Sequence, residues 1–229
     1  MAEMLRVLDP LKSTIVRSNT AAEPMRRVRV VTLRDGTRVR LRPIRPDDEE
    51  ALVALFERLS VRTVYQRFFA PYPRLPRAWY RDFANVDYER RFGLVAERFE
   101  AEGPRLLGVA QWEPGDAPDV AELALLVEDA WQGRGLGALL FEELLCIARS
   151  RGYRTFTADV LAENQRMLNL LRARATVVAS RIEHGVMTVR LVPAVSCGSY
   201  DTTDSGRDGT ARCGEPDAPG RRARLGAVR

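Results

Sequence analysis

Between Ala121 and Gly137 the chain reads Ala-Glu-Leu-Ala-Leu-Leu-Val-Glu-Asp-Ala-Trp-Gln-Gly-Arg-Gly-Leu-Gly. An apolar strand runs into a glycine-rich turn, and a helix follows at once. The helix carries Leu136, Leu139, Leu140, Leu144, Ile147 and Ala148 as its buried stripe and stops at Gly152. Backbone amides at such a turn converge on one point, and the helix N-terminus adds partial positive charge there. Gly133, Gly135 and Gly137 remove side chains that would keep a phosphate from the backbone. The segment therefore reads as a diphosphate cradle.

Two familiar phosphate loops compete for it. A P-loop ends in Gly-Lys-Ser/Thr, and the only lysine here is Lys12. A dinucleotide fingerprint fits better, because Gly133-x-Gly135-x-x-Ala138 matches its relaxed form and Asp159 stands at a suitable distance for a ribose. However, five residues, Glu128 to Gln132, separate the strand from the first glycine. Asp159 is followed by Val160-Leu161 and need not end its strand. Only 70 of the 229 residues follow Asp159, too few for the rest of a dinucleotide fold.

Elsewhere the patterning alternates strands and helices. Residues 28–33 and 39–41 flank Asp35-Gly36, a hairpin signal. Pro46-Asp47-Asp48 offers an N-cap to a helix carrying Leu52, Leu55, Phe56 and Leu59. Helical stretches at 61–69 and 78–84 are separated by Pro71, Pro73 and Pro76. Strands follow at 92–97, 106–112 and 120–127. After the glycine loop and its helix come a strand at 155–161, a helix at 163–173, and a hairpin turning at Glu183-His184-Gly185. Residues 1–28 read as an N-terminal extension, a loose arm or short docking helix. From 195 to 229 the chain is polar and glycine-rich, and it is expected to be disordered because it cannot offset its ordering entropy.

Composition excludes several kinds of chemistry. His184, the only histidine, falls in a turn, so neither a histidine triad nor a multi-histidine metal site is expected. Cys146, Cys197 and Cys213 lack metal-ligand spacing and suit a reducing compartment. The net charge of +5 comes from 36 basic against 31 acidic residues, almost all the basic ones arginine. It reads as a soluble surface rather than a nucleic-acid face. No apolar run approaches the roughly 20 residues that span a bilayer, and no signal peptide opens the chain. A cytoplasmic protein without nucleic-acid or membrane partners is expected.

The pattern Gln132-x-x-Gly135-x-Gly137 after a strand resembles the acyl-CoA loop of the GNAT N-acetyltransferase superfamily. The stretch Val160 to Arg172 is similar to the strand-to-helix junction that follows it there. Val31-Thr-Leu-Arg-Asp-Gly-Thr and Leu41-Arg-Pro-Ile-Arg-Pro-Asp-Asp resemble its opening strands and first helix entry. Leu59-Ser60 and Tyr65-Gln-Arg-Phe-Phe69 are similar to the GNAT domain of bacterial protein lysine acetyltransferases. The resemblance implies an α/β (α+β) fold over residues 29–194, with a mixed, mostly antiparallel twisted sheet of about six or seven strands and about four helices. Acetyl-CoA is the implied co-substrate. Amides of Gln132, Gly133, Arg134, Gly135, Leu136 and Gly137 would hold its diphosphate, and Leu125, Leu126 and Val127, where the strand splays from its neighbour, its pantetheine arm. Arg134 either adds charge to a phosphate or is solvated. Asn164 either hydrogen-bonds the arm or caps its helix.

Glu122 interrupts an otherwise apolar strand, where a carboxylate is costly to bury. It matches a glutamate at this place in the family's lysine acetyltransferases, which makes it the expected general base; the alternative is an exposed face of the strand. The acceptor is a protein lysine or a small amine, with a non-catalytic acyl-CoA sensor as a third reading; oligomeric state stays open. Two departures stand out. The helix after Asn164 lacks the tyrosine that many relatives use as acid, and Arg172-Ala-Arg-Ala-Thr176 replaces their Gly-Phe helix stop. Regulation by a cyclic-nucleotide or ligase domain is not expected within 229 residues.

Overall fold

The computed structural model describes residues 28–101 and 103–194. The expectations for the N-terminal extension and the polar tail fall outside them. Strands β1 (Arg29–Thr32) and β2 (Arg38–Pro43) form the first hairpin. Its turn closes through Gly36 N–H to Leu33 O at 3.0 Å, with Gly36 at φ +83°. Helices α1 (Glu49–Glu57), α2 (Val61–Phe68) and α3 (Arg77–Ala84) follow, then β3 (Phe92–Glu100), β4 (Gly103–Pro114) and β5 (Val120–Val127). The glycine loop leads into α4 (Leu136–Ser150), and β6 (Thr155–Leu161), α5 (Gln165–Arg174), β7 (Ala175–Glu183) and β8 (Val186–Pro193) complete the domain.

The eight strands form one sheet in the order β1-β2-β3-β4-β5-β6-β8-β7. Every neighbouring pair is antiparallel except β5–β6, which the α4 crossover makes parallel. The sheet has more strands than the six or seven expected, and five α-helices rather than four. The four-residue β1 adds an edge. The Ser60 hydroxyl accepts from Thr63 N–H at 3.1 Å and starts α2 as a helix separate from α1.

Two apolar layers flank the sheet. On one face α4 lays Leu136, Leu140, Phe141 and Leu144 against Leu94, Leu107 and Phe156, near the stacked pair Phe92–Trp112. On the other, α1, α2 and α3 pack Leu52, Leu55, Phe68 and Tyr80 over Val95, Leu106 and Leu126. The Asp48 carboxylate accepts from Arg45 N–H at 2.8 Å and so caps the short 3-10 turn Pro46–Asp48 that leads into α1. It also takes both terminal nitrogens of the buried Arg42 at 2.7 Å, and Arg42 Nε donates to Glu97 at 2.8 Å. A fully enclosed carboxylate such as Glu97 is tolerable because Arg42 and Arg40 both pair with it. This cluster pins β2, β3 and the start of α1 together.

Candidate active site

Strands β5 and β6 pair over only three positions, Val120↔Thr155, Ala121↔Phe156 and Glu122↔Thr157, and then part. On its other side β5 stays zipped to β4 as far as Val127↔Gly108. Glu128 N–H donates to Leu107 O at 2.9 Å, which fixes the alternation. The backbone groups of Glu128, Leu126, Ala124 and Glu122 face β4, while those of Leu125 and Val127 face the gap. The three expected arm-binding residues therefore divide. Leu125 presents its main-chain groups and Val127 its N–H to the opening, the Val127 carbonyl being taken by Gln132, whereas β4 takes the main-chain groups of Leu126, leaving its side chain to line the wall.

A cleft runs through this fork in two joined chambers. The outer holds about 290 Å³ and is lined by Thr63, Val127, Gln132, Gly135, Gly137 and Leu170, among others. The inner holds about 50 Å³ and is lined by Glu122, Ala124, Phe141, Asp159 and Val160, among others. Gln66, Arg67, Leu125, Asn164 and Met167 line both. The larger space lies at the glycine loop and the narrow one at the carboxylate, so a long ligand held by the loop would point its tip at Glu122.

The loop's conformation explains its glycines. Gly133 and Gly135 sit at φ +78° and +93°, a region that other residues adopt only with strain. No protein atom lies within 4 Å of a side chain built at either position. These two are required by the backbone path, and they leave the space in front of the loop's amides open. At Gly137 a methyl would lie 3.7 Å from both Leu125 and Val127 and 3.9 Å from Leu170, between the walls of the outer chamber. The buried side chain of Leu136 leaves only its amide for a ligand. Because α4 begins at Leu136, its first amides have no acceptor within the helix.

Gln132 holds the loop in place. Its Nε2 donates to Val127 O at 3.0 Å and to Thr63 Oγ1 at 3.2 Å, and its Oε1 accepts from Arg166 at 2.6 Å. Asp129 adds a second tie, accepting from Ser60 N–H, Ser60 Oγ and Thr63 Oγ1 at 2.9, 2.7 and 2.7 Å. Burial alone would raise the Asp129 carboxyl, but these hydrogen bonds hold it below the usual carboxylate range. Arg134 is not simply solvated. It stacks 4.8 Å from the Trp131 ring centre and pairs with Asp35 at 3.0 Å. Asn164 takes the capping role, its Oδ1 accepting from Met167 N–H at 3.1 Å. Its amide nitrogen has no partner among the described residues and lies at the cleft wall.

Glu122 is half-buried and accepts no hydrogen bond among the described residues. Burial pushes its carboxyl up to about 7, helped by Asp159 and Glu113 and opposed by Arg67. Glu113 stands directly across the ladder from it, and Asp159 lies two residues beyond its β6 partner Thr157. The inner chamber is thus acidic, with a proton acceptor poised near neutrality. Arg67 faces this group from α2. Burial lowers its guanidinium, and the carboxylates of Glu122 and Glu113 oppose that effect. It remains a cation.

Sequence reasoning did not single out Arg67, Gln66, Asp159, Met167 or Arg34 for this cleft. Thr63, Gln66 and Arg67 share one helical face, which was a usable signal for the first two of these residues. Cys146 lines neither chamber. His184 occupies the β7–β8 turn at φ +49°. Helix α5 runs to Arg174 and passes directly into β7 at Ala175, with no glycine between them. Among the described residues no group of His, Cys, Asp or Glu is placed to hold a metal ion, and no helix is long and apolar enough to cross a membrane.

Comparison with known proteins converges on one family. A family model described as an acetyltransferase (GNAT) domain matches residues 38–173. An acetyltransferase of Pseudomonas aeruginosa is 30% identical over 141 residues, covering 62% of this chain and 76% of that protein. The acetyltransferase Pat of Mycolicibacterium smegmatis is 31% identical over 185 residues, covering 80% of this chain but 55% of its own length. Among solved structures, the GNAT domain of S. lividans PAT superposes with TM-score 0.64 at 38% identity, covering 71% of this chain and 95% of that one. A cAMP-binding acyltransferase from Mycobacterium smegmatis gives TM-score 0.51 at 30% identity, over 76% of this chain and 50% of its own.

Proposed function

The chain belongs to the GNAT acetyltransferase family, and from that premise we propose that it transfers an acetyl group from acetyl-CoA to a protein lysine in the cytoplasm. The observation that carries this reading is Glu122, a half-buried carboxyl raised to about 7, at the narrow end of a cleft whose wide end is the glycine loop at the N-terminus of α4. The residues present suit acetyl-CoA. Amides from Gly133 to Gly137 accept a diphosphate, and Arg34 and Arg166 lie in the same chamber to balance its charge. The main-chain groups of Leu125 and Val127, with the amide of Asn164, suit the amide-rich pantetheine arm.

The thioester supplies an activated acyl group, and the chain supplies position and proton transfer. A lysine amine has an ordinary pKa of about 10.4 and is mostly protonated at neutral pH. The acidic inner chamber attracts that cation, which sheds one proton to solvent to become the free amine, and Glu122 takes the second proton as the nitrogen attacks. A main-chain N–H of β5 in the fork stabilises the carbonyl oxygen as charge develops on it. Transfer is direct, with no covalent enzyme intermediate. The lysine reading is supported by the likeness of residues 31–69 to protein lysine acetyltransferase domains. A small cationic amine would suit the same acidic chamber.

Incubation with acetyl-CoA and a broad protein set that includes acyl-CoA synthetases, followed by mass-spectrometric mapping of acetyl-lysine, tests the acceptor. Site-specific acetylation that Glu122→Gln abolishes supports the proposal. Turnover on an amine panel alone, with proteins at the non-enzymatic background, would move the assignment to small molecules.

A further inference from the structure

Among the described residues, Arg67 is the one cation that lines both chambers. It is half-buried, and among the described residues it makes no hydrogen bond or ion pair. Its one close partner is the neighbouring Phe68 ring, with the guanidinium carbon 5.0 Å from the centroid. A cation withdrawn from water without a bonded partner is unfavourable unless an anion arrives. Among the described residues the lining offers no histidine, lysine, tyrosine or cysteine that could neutralise a departing anion at this point. From this placement we infer that Arg67 is a catalytic residue that stabilises the thiolate leaving the acyl carrier.

The inference rests on the acetyl-CoA reading above. In the transfer, the amine nitrogen forms its bond to the acyl carbon, and its proton passes to Glu122. The carbon–sulfur bond breaks, and its electron pair stays on sulfur. As Glu122 becomes neutral, Arg67 loses the anion that faced it from β5 and gains one on sulfur where the chambers join. Net charge in the cleft is conserved through the step, which limits the solvent reorganisation needed. The other charges near this position are the carboxylates of Glu113 on β4 and Asp159 on β6, with Arg34 and Arg166 at the outer end. A carboxylate at the tip of the acyl group would face Glu122 and Asp159. The acidic wall therefore argues against Arg67 as a selector of dicarboxylic acyl groups.

The test uses free CoA bound to the full chain, with the bound thiol titrated by its far-ultraviolet thiolate absorbance. Free CoA titrated in parallel gives the reference, and a close guanidinium should lower the bound value below it by about 1 to 3 units. Arg67→Met should remove most of that lowering and Arg67→Lys should keep most of it. Desulfo-CoA, which has no thiol, should bind the parent and both variants alike, which reports that fold and cleft are intact. In turnover, Arg67→Met should lower kcat at least tenfold with little change in KM for acetyl-CoA. A bound thiol that titrates at the same pH in the parent and in Arg67→Met overturns the assignment. Failure of the parent to bind CoA at all would instead overturn the reading of the cleft, and this inference with it.

Discussion

Replacing Glu122 by glutamine should produce two opposite effects of calculable size. The parent carboxyl is raised from an ordinary 4.5 to about 7, chiefly by burial and then by Asp159 and Glu113. At about 1.4 kcal/mol per pKa unit, holding it ionised costs the fold about 3 kcal/mol. The folded state binds the proton more tightly than the unfolded chain, so stability is intact below pH 4.5. It declines as the pH rises toward 7 and stays lower above that. Glutamine mimics the protonated carboxyl at every pH. Denaturant unfolding should therefore find the two proteins alike at pH 4.5, with Glu122→Gln more stable by up to about 3 kcal/mol at pH 8. Activity should go the other way. Loss of a general base costs roughly 10²- to 10⁴-fold. The parent's acid limb in kcat/KM, centred near 7, should vanish in the variant. A stability gap independent of pH, together with an acid limb that survives the substitution, would refute the reasoning.

Asp159→Asn removes the larger of the two carboxylate contributions to Glu122, so the acid limb of kcat/KM should move to lower pH. A stationary limb would exclude that coupling. Gly137→Ala should gain a few tenths to about 1 kcal/mol in helix propensity, while its methyl enters the outer chamber between Leu125, Val127 and Leu170. A thermal melt and steady-state kinetics should show unchanged or raised Tm with KM for acetyl-CoA up about tenfold or more. Glu97→Ala leaves Arg42 buried without one of its two carboxylates and should cost about 3 to 5 kcal/mol in chemical denaturation. A loss under 1 kcal/mol would mean the cluster rearranges.

The local elements were legible because their signals are local. Alternating apolar runs placed β3 to β6, Asp35-Gly36 placed the first turn, and Gly152 the end of α4. The loop's backbone path was legible too, since a strand, a glycine turn and a helix in succession leave few choices, but the amide of Gln132, expected to face a diphosphate, is taken by Asp129 O at 3.2 Å. The cleft wall was harder to read. Arg67, Glu122, Asp159 and Met167 come from α2, β5, β6 and α5, and only the sheet order brings them together. Hydrophobic periodicity marks which face of a helix is buried but not what it is buried against. The division of Leu125 and Val127 from Leu126 depended on ladder register, which no residue type encodes. Asp48 looked like a helix cap because aspartate suits that role, and it does accept from Arg45 N–H there, but nothing local announced that the same carboxylate also holds the buried Arg42.

The central claim is that the glycine loop holds the diphosphate of a thioester carrier whose reactive end reaches Glu122. Calorimetric titration of the parent and Glu122→Gln with acetyl-CoA and, separately, with NAD tests it most directly. Saturable one-to-one binding of acetyl-CoA to both proteins, with no heat from NAD, is the predicted result. Capture of NAD, or indifference to acetyl-CoA, would contradict it.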